Sequence, residues 1–338
     1  MYKWGKIIAF SLVMVLGSLI PAFSQSNPLD ELQGSANEFV ESIAKSLPFN
    51  STLGLNWSDA YIGQLIGAPP HFGFGVSLGI TTIDLGTVKK LMNKFGMSSI
   101  DLNKMPLPGY TADARLGGFV LPFDFGFKFG MLPGLGIGDD FKLDYMLLGG
   151  DIRYALLEGK GPLPKISVGF GINYLREGIR ASIGSGTEFS FVTPDGQPPH
   201  TLKLEAADVG LSWSSTVFDL KAQVSKSFLI ITPYLGLGGS FALSKIGYGV
   251  ESSNLTYDGT GIDDKTLNEI LDALKQAGIE GIDIDGYGFS STYKTRGWGI
   301  RAFGGFSVNM LAVKLDLTGM FNFLDLNYGA SLGIRFQL

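Results

Sequence analysis

Ten stretches of this chain alternate apolar with small or polar residues, and after the first 24 residues none holds eighteen consecutive apolar positions. In hydrocarbon every backbone donor and acceptor must be paired inside the protein, so a chain without helical spans can cross only as a closed barrel of strands. Such strands cross in about 9–11 residues with one apolar face. The last run is the clearest. Leu326, Tyr328, Ala330, Leu332, Ile334, Phe336 and Leu338 share one face, opposite Asp325, Asn327, Gly329, Ser331, Gly333, Arg335 and Gln337. The same period predicts strands near 72–81, 112–120, 123–131, 146–156, 166–174, 218–224, 229–243, 298–310 and 311–323. Among the fifteen prolines, Pro233 is the one expected well inside a strand, as a residue that cannot donate to a ladder.

The faces opposite the apolar ones carry Asp113, Asp124, Asp151, Asp219, Asp316 and Asp325 against Arg115, Lys128, Arg153, Lys221, Arg301, Lys314 and Arg335. A dry soluble core could not hold so many ions, because each buried ion costs several kcal/mol unless well paired. A hydrated or ion-paired lumen can. The expected fold is therefore all-β: a transmembrane antiparallel up-and-down β-barrel of about ten strands. Leu53, Leu55 and Trp57 form a further alternating run that breaks parity, so it either lies in the lumen or is half of a pair making twelve strands.

Composition supports this environment. The 48 glycines in 338 residues are about twice the usual ~7% share, charged residues are 17% against the usual ~25%, and 25 residues are phenylalanine. A net charge of −5 argues against a nucleic-acid partner, which requires a basic face. The absence of cysteine excludes a disulfide scaffold and a thiolate metal site.

Lys3 and Lys6, the apolar run from Ile7 to Ile20 and the small residues around Phe23 read as a secretory signal over 1–24, cut after Ser24. The domain reading is then a signal peptide over 1–24, a helical segment and candidate plug over 25–48, and a barrel over 49–338. In the N-terminal segment Leu29, Leu32, Phe39, Val40, Ile43 and Leu47 share a stripe of an amphipathic helix. Helices are also expected in two outer loops. One places Val88, Leu91, Met92 and Phe95 together, and the other Leu267, Ile270, Leu271 and Leu274. If the C-terminus faces the periplasm, the connections near 122, 158–164, 225–227 and 309–310 are short and periplasmic. Those at 84–110, 132–142, 181–206 and 247–290 are long and external, the asymmetry common to such barrels.

Catalytic chemistry is sparse. His71 and His200 lack a serine or carboxylate at useful spacing, and neither they nor the Asp258, Asp263, Asp264, Asp283 and Asp285 cluster matches a zinc or EF-hand pattern. No cofactor and no enzymatic activity are expected.

Asn56 to Gly63, Pro106 to Asp124, Gly150 to Ala155 and Asp219 to Phe228 resemble a spirochaete (treponemal) group of outer-membrane barrel proteins. The resemblance implies the fold and an outer-membrane location, without an activity. A weaker likeness, the N-terminal helix before a barrel, is to long-chain fatty-acid transporters, which have more strands. The expected role is a passive channel or transporter for small or hydrophobic solutes. The alternative is a structural or surface-interaction barrel acting through its long loops. The expected lumen-lining residues are Asp113, Arg115, Asp124, Lys128, Asp151, Arg153, Asp219, Lys221, Arg301, Lys314, Asp316 and Arg335. Phe336 and Leu338 resemble the signal read by the barrel-insertion machinery. The expected partners are outer-membrane lipid, that machinery and a small hydrophobic solute.

Overall fold

The computed structural model describes residues 40–84, 104–136, 141–183, 187–191, 200–257, 259–261, 282–285 and 288–338. The strands are β1 (Phe72–Asp84), β2 (Lys104–Gly117), β3 (Phe123–Gly136), β4 (Phe141–Glu158), β5 (Lys165–Ile183), β6 (Thr187–Phe191), β7 (His200–Ser225), β8 (Ile231–Tyr257), β9 (Thr260–Gly261), β10 (Ile282–Asp285), β11 (Gly288–Met310), β12 (Val313–Asn322) and β13 (Tyr328–Gln337). Ten of them close an antiparallel barrel in chain order, with β6, β9 and β10 as short additions outside the ring. Two ladders complete the circle. β1 pairs with β13, placing Phe74 opposite Phe336, and β8 pairs with β11 across the intervening connection. Among the described residues no helix is long and apolar enough to cross a membrane.

The period-two pattern decides which way each strand faces. Phe74, Val76, Leu78 and Ile80 of β1 lie on the outside, as do Phe125, Phe127 and Phe129 of β3 and Leu332 and Ile334 of β13, all exposed to the surroundings. Their alternate neighbours, among them Asp124, Lys128, Ser331 and Arg335, are buried inside. This inversion, greasy outside and charged inside, is what a barrel in lipid requires.

The two ends differ. The turns at 118–122, 159–164, 226–230 and 311–312 and the C-terminus share one end, called here the turn end; the opposite rim is the loop end. Strand length varies strongly around the ring. β12 and β13 have 10 residues each and β1 has 13, whereas β7, β8 and β11 have 26, 27 and 23. About 9–11 residues cross a bilayer, so these three strands, with β5, continue as a tall wall on one side of the loop end. This corrects the expectation of loops at 181–206 and 247–290. Alternation there is confined to short pieces such as Leu202-Lys203-Leu204-Glu205, too brief to separate a strand from a loop by period alone.

Prolines also differ from expectation. Pro106 and Pro108 lie within β2 and Pro133 within β3. β2 pairs with β1 along its whole length, but its ladder to β3 begins only at Ala112, opposite Phe129. Pro106 and Pro108 therefore sit where β2 has a partner on one side only, the position at which a missing N–H costs no ladder bond. The alternating run at Leu53, Leu55 and Trp57 pairs with no strand and lies in the lumen, so the count is ten rather than twelve. The expected signal peptide, most of the N-terminal helix and both loop helices fall outside the described residues.

Candidate functional site

The interior of the barrel is occupied by the chain's own N-terminal part. A helix over 40–50 is followed by an irregular strand-free stretch to Ile62, and both lie inside the ring. The occupied length therefore runs past residue 48, the limit expected for the candidate plug. Val40, Ile43 and Leu47, the end of the amphipathic stripe, are buried together with Ala44, and Phe49 clusters with Tyr234, Phe303 and Met320 of the wall. The wall is hollowed to admit this chain. A Cβ at Gly79 or Gly109 would collide with a methyl of Leu53, and one at Gly297 with the carbonyl of Ala44. Part of the glycine excess is thus room for the inner segment.

The helix ends in a polar grip. The Lys128 ammonium donates to the carbonyls of Ser51 and Leu53, at 2.7 Å each. Both carbonyls lie just past the helix C-terminus, where a cation also complements the helix dipole. Beyond it, wall side chains satisfy the backbone in place of a strand partner. Leu55 N–H donates to Asp113, Ala60 N–H to Ser225 and Ile62 N–H to Asp124, while Gln223 donates to the carbonyl of Trp57. Buried backbone groups need such partners, and here each is supplied by a side chain.

Trp57 and Asp59 are the two anchors. The Trp57 indole N–H donates to Asp113 at 2.9 Å, and its ring lies under the guanidinium groups of Arg335 and Arg115, 4.6 and 5.7 Å from the ring centre. Asp59 receives Lys314 at 2.7 Å, Arg335 at 3.0 Å and Lys165 at 3.3 Å, tying the inner segment to β12, β13 and β5 at the turn end. Burial alone would raise the Asp59 pKa, but Lys165, Arg335 and Lys314 together hold it well below the usual carboxylate range. Tyr61 is pushed up to about 12, by burial and then by the nearby negative charges of Glu158 and Asp124.

The twelve charged residues from Asp113 to Arg335 named from sequence share the parity opposite the exposed apolar faces of their strands, and most of them are joined in ion pairs. Arg115 bridges Asp124 and Asp151, at 2.6 and 2.8 Å. Arg153 engages both oxygens of Asp124 at 2.7 Å and donates to the carbonyl of Asp59. Lys221 meets Asp151, Arg301 clasps Asp219 and Arg335 meets Asp316. Lys128 and Asp113 contact the inner segment instead. Asp113, Asp124, Asp151, Asp219 and Asp316 leave the seven bases of this wall in excess, and the segment supplies the carboxylate of Asp59 and the two carbonyls on Lys128. Wall and inner segment are thus complementary in charge. Phe336 packs against Phe74 on the outer face, with ring centres 5.5 Å apart, and Leu338 N–H donates to Phe72 beside the seam. His71 lies at the same seam, 3.3 Å from the Leu338 carbonyl oxygen. Among the described residues no cluster of His, Asp or Glu could hold a metal ion.

Toward the loop end the inner face changes character. Leu143, Tyr145, Leu147, Leu175, Ile179, Leu211, Trp213, Val217 and Ile246 share the inward parity of Asp151 and Asp219, yet are apolar or aromatic and buried. The one charge among them, Glu177, accepts a hydrogen bond from Trp213 at 2.6 Å. These residues were missed from sequence. The signal was present in runs such as Tyr145-Met146-Leu147-Leu148, apolar on both parities, which mark a strand with lipid outside and a dry interior within.

No family model matches the chain and no curated protein matches it by sequence. Among solved structures it is similar to the outer membrane protease OmpT from Escherichia coli, at 11% identity and a TM-score of 0.40, covering 80% of this chain and 97% of that one. It is also similar to the translocator domain of the autotransporter NalP from Neisseria meningitidis, at 10% identity, TM-score 0.29, and 91% and 98% coverage. A Pseudomonas aeruginosa FadL homologue matches at 8% identity, TM-score 0.26, and 79% and 89% coverage. At these values the likeness extends to the barrel fold alone.

Proposed function

We propose that this chain is an outer-membrane conduit for small, predominantly hydrophobic solutes, closed by its own segment 40–62. The observation that carries the reading is that this segment joins no ladder. Every contact it makes with the wall is a side-chain or packing contact, so it can leave while the ten-strand cylinder stays intact. A barrel of eight strands can be filled by its own side chains. Ten strands with hollowed glycine positions leave space that a separate segment must fill. The apolar inner face toward the loop end favours a hydrophobic solute over an ion. The exposed belt favours a location in the outer membrane, reached through the N-terminal signal and inserted through recognition of Phe336 and Leu338. The same reading assigns the chain no catalytic role.

Ser58 of the segment and Ser307 of β11 face each other with hydroxyl oxygens 2.7 Å apart, and the chain has no cysteine of its own. In the Ser58→Cys, Ser307→Cys chain, refolded into vesicles, oxidation should lock the segment in place and reduction should release it. Uptake of a small apolar dye that rises on reduction supports the conduit; equal uptake in both states overturns it. A second reading, a surface-interaction barrel, draws on the tall wall of β7, β8 and β11, and it gains if neither state passes solute.

A further inference from the structure

Above the greasy belt on the outer face of β5, β7, β8 and β11 lies a row of unpaired cations. In register, Trp298 faces Phe241 and Phe241 faces Phe218, with the Trp298 and Phe241 rings 4.7 Å apart. One step toward the loop end, Arg296 faces Leu243, and Tyr174 faces Thr216. The next step places Lys294 opposite Lys245, and Arg176 opposite Ser214, which itself faces Lys245. Arg176, Lys245, Lys294 and Arg296 are all exposed on this face, and no ion pair joins any of them to a carboxylate among the described residues. Asp144, which lines the same hollow as Arg176, is bound by Arg180 at 2.7 Å. Two lysines directly opposite each other across a ladder repel, so the sheet holds an unfavourable arrangement that an anion would relieve.

A second observation coincides with the first. A concavity of about 580 Å³ opens at this level, and most of its lining comes from outward positions, including Arg176, Arg180, Gly178, Ser212, Gly247 and Thr292, with the acids Asp144 and Asp208 on its wall as well; Lys245, Lys294 and Arg296 border it on the belt side. Gly178, Ser212, Gly247 and Thr292 lie in one register row, immediately beyond the Arg176–Lys294 row. Small side chains there leave depth for a group bulkier than water. Below it, Leu235, Leu237 and Leu243 of β8 and Trp298 and Ile300 of β11 are exposed along the same face.

We propose that this row of cations, at the belt-side edge of the hollow, holds the phosphate headgroup of an anionic phospholipid in the leaflet at the loop end. The lipid's acyl chains would lie on the belt directly beneath, and its phosphate would meet Arg176, Lys245, Lys294 and Arg296. Continuity with the belt is what selects a lipid over a soluble anion, since a free phosphate would leave the apolar face below without a role. Basic residues at a membrane surface each contribute on the order of 1 kcal/mol toward anionic lipid.

Trp298 reports the site from within. It is 65% exposed on the belt, whereas Trp57 and Trp213 are 3% and 2% exposed inside the barrel, so among these three a brominated acyl chain quenches Trp298 selectively, and the Trp298→Phe chain supplies the background, including that from Trp4. The full chain is reconstituted in phosphatidylcholine vesicles containing a minor fraction of brominated lipid, either phosphatidylglycerol or phosphatidylcholine. Quenching should show at least about fivefold enrichment of the anionic lipid. The Lys245→Gln, Lys294→Gln, Arg296→Gln chain should lose it, while Lys160→Gln with Lys226→Gln at the turn end should keep it. Equal quenching by the two lipids, enrichment that survives the triple substitution, or loss in the turn-end variant each overturns the proposal. So does displacement of the lipid by excess inorganic phosphate, which would make the site one for a soluble anion.

Discussion

The interior of this barrel is two environments stacked along one axis. At the turn end, Asp59, Trp57 and the backbone of 51–62 are held by charged wall residues, each contact directional and each partner named. At the loop end, the helix over 40–50 meets the wall largely through apolar burial, with Phe49 packed among Tyr234, Phe303 and Met320. The difference teaches how a removable segment can be both specific and reversible. Ion pairs fix its register, since a shift of one residue would strand several charges. Apolar packing holds its other half without demanding a single geometry. Buried ion pairs contribute modestly to net stability, but losing one partner is costly. The turn-end half should therefore respond sharply to single substitutions and the loop-end half in a graded way.

The largest effect is expected at Asp59. Asp59→Ala leaves Lys314 without its carboxylate and Arg335 with Asp316 alone, and should weaken the grip on residues 55–62 by about 3 kcal/mol, at the low end for a broken buried pair because Arg335 keeps one partner and Lys165 is partly exposed. Hydrogen exchange of the 55–62 amides in the refolded chain measures this directly as faster local opening. An unchanged exchange rate would mean that the carboxylate only decorates the segment. Trp57→Ala follows closely at about 3 kcal/mol, the lower value for removing a buried large aromatic. Exchange should again accelerate at 55–62, while the wall strands β12 and β13 keep their protection.

How much of this was readable beforehand differs between the two halves for a physical reason. Alternating charge along a strand, as in Asp113-Ala114-Arg115, has few explanations in an apolar chain, so the ionic half of the wall was legible. Asp59 was not, because it lies outside any periodic run and its role depends on three partners distant in sequence. The ten strands could be read from their lipid-facing period. The tall extensions of β7, β8 and β11 could not, because their alternating pieces, such as Leu202-Lys203-Leu204-Glu205, are short and set among glycine and polar residues. The apolar inner half was hidden because an inward Leu147 beside an outward Leu148 reads as a simple apolar run until the fold assigns them opposite sides.

Acid separates the halves next. The Asp59 pKa is depressed in the folded chain, so its contribution is fully present at pH values above the ordinary carboxylate range near 4 and is lost as pH falls through the depressed value. Exchange at 55–62 should be flat from neutral pH to about 5 and then accelerate on further acidification, once corrected for the intrinsic pH dependence of exchange. Amides over 43–47 should not share this transition. Parallel behaviour of the two windows would show that the segment moves as one body and would remove the distinction between the halves.

The loop-end half has its own single-site test, with a smaller expected effect. Leu47 is completely buried on the helix, and Leu47→Ala should cost about 2 kcal/mol, the lower value for truncating a buried leucine, since the apolar surroundings can partly collapse around the loss. Its signature is accelerated exchange over 43–50 with 55–62 nearly unchanged. On the same helix, Glu41 and Lys45 form an exposed pair at 3.7 Å. Glu41→Gln should change opening by no more than about 0.5 kcal/mol, the scale of a solvent-exposed helical pair, and that difference should shrink in high salt. The contrast between these two substitutions, six residues apart on one helix, decides whether apolar burial or surface charge keeps the upper half seated. A larger effect from Glu41 than from Leu47 would mean that the helix is held from its mouth side, and the apolar inner face would then lose its claim to be the part of the lumen shaped for a hydrophobic solute.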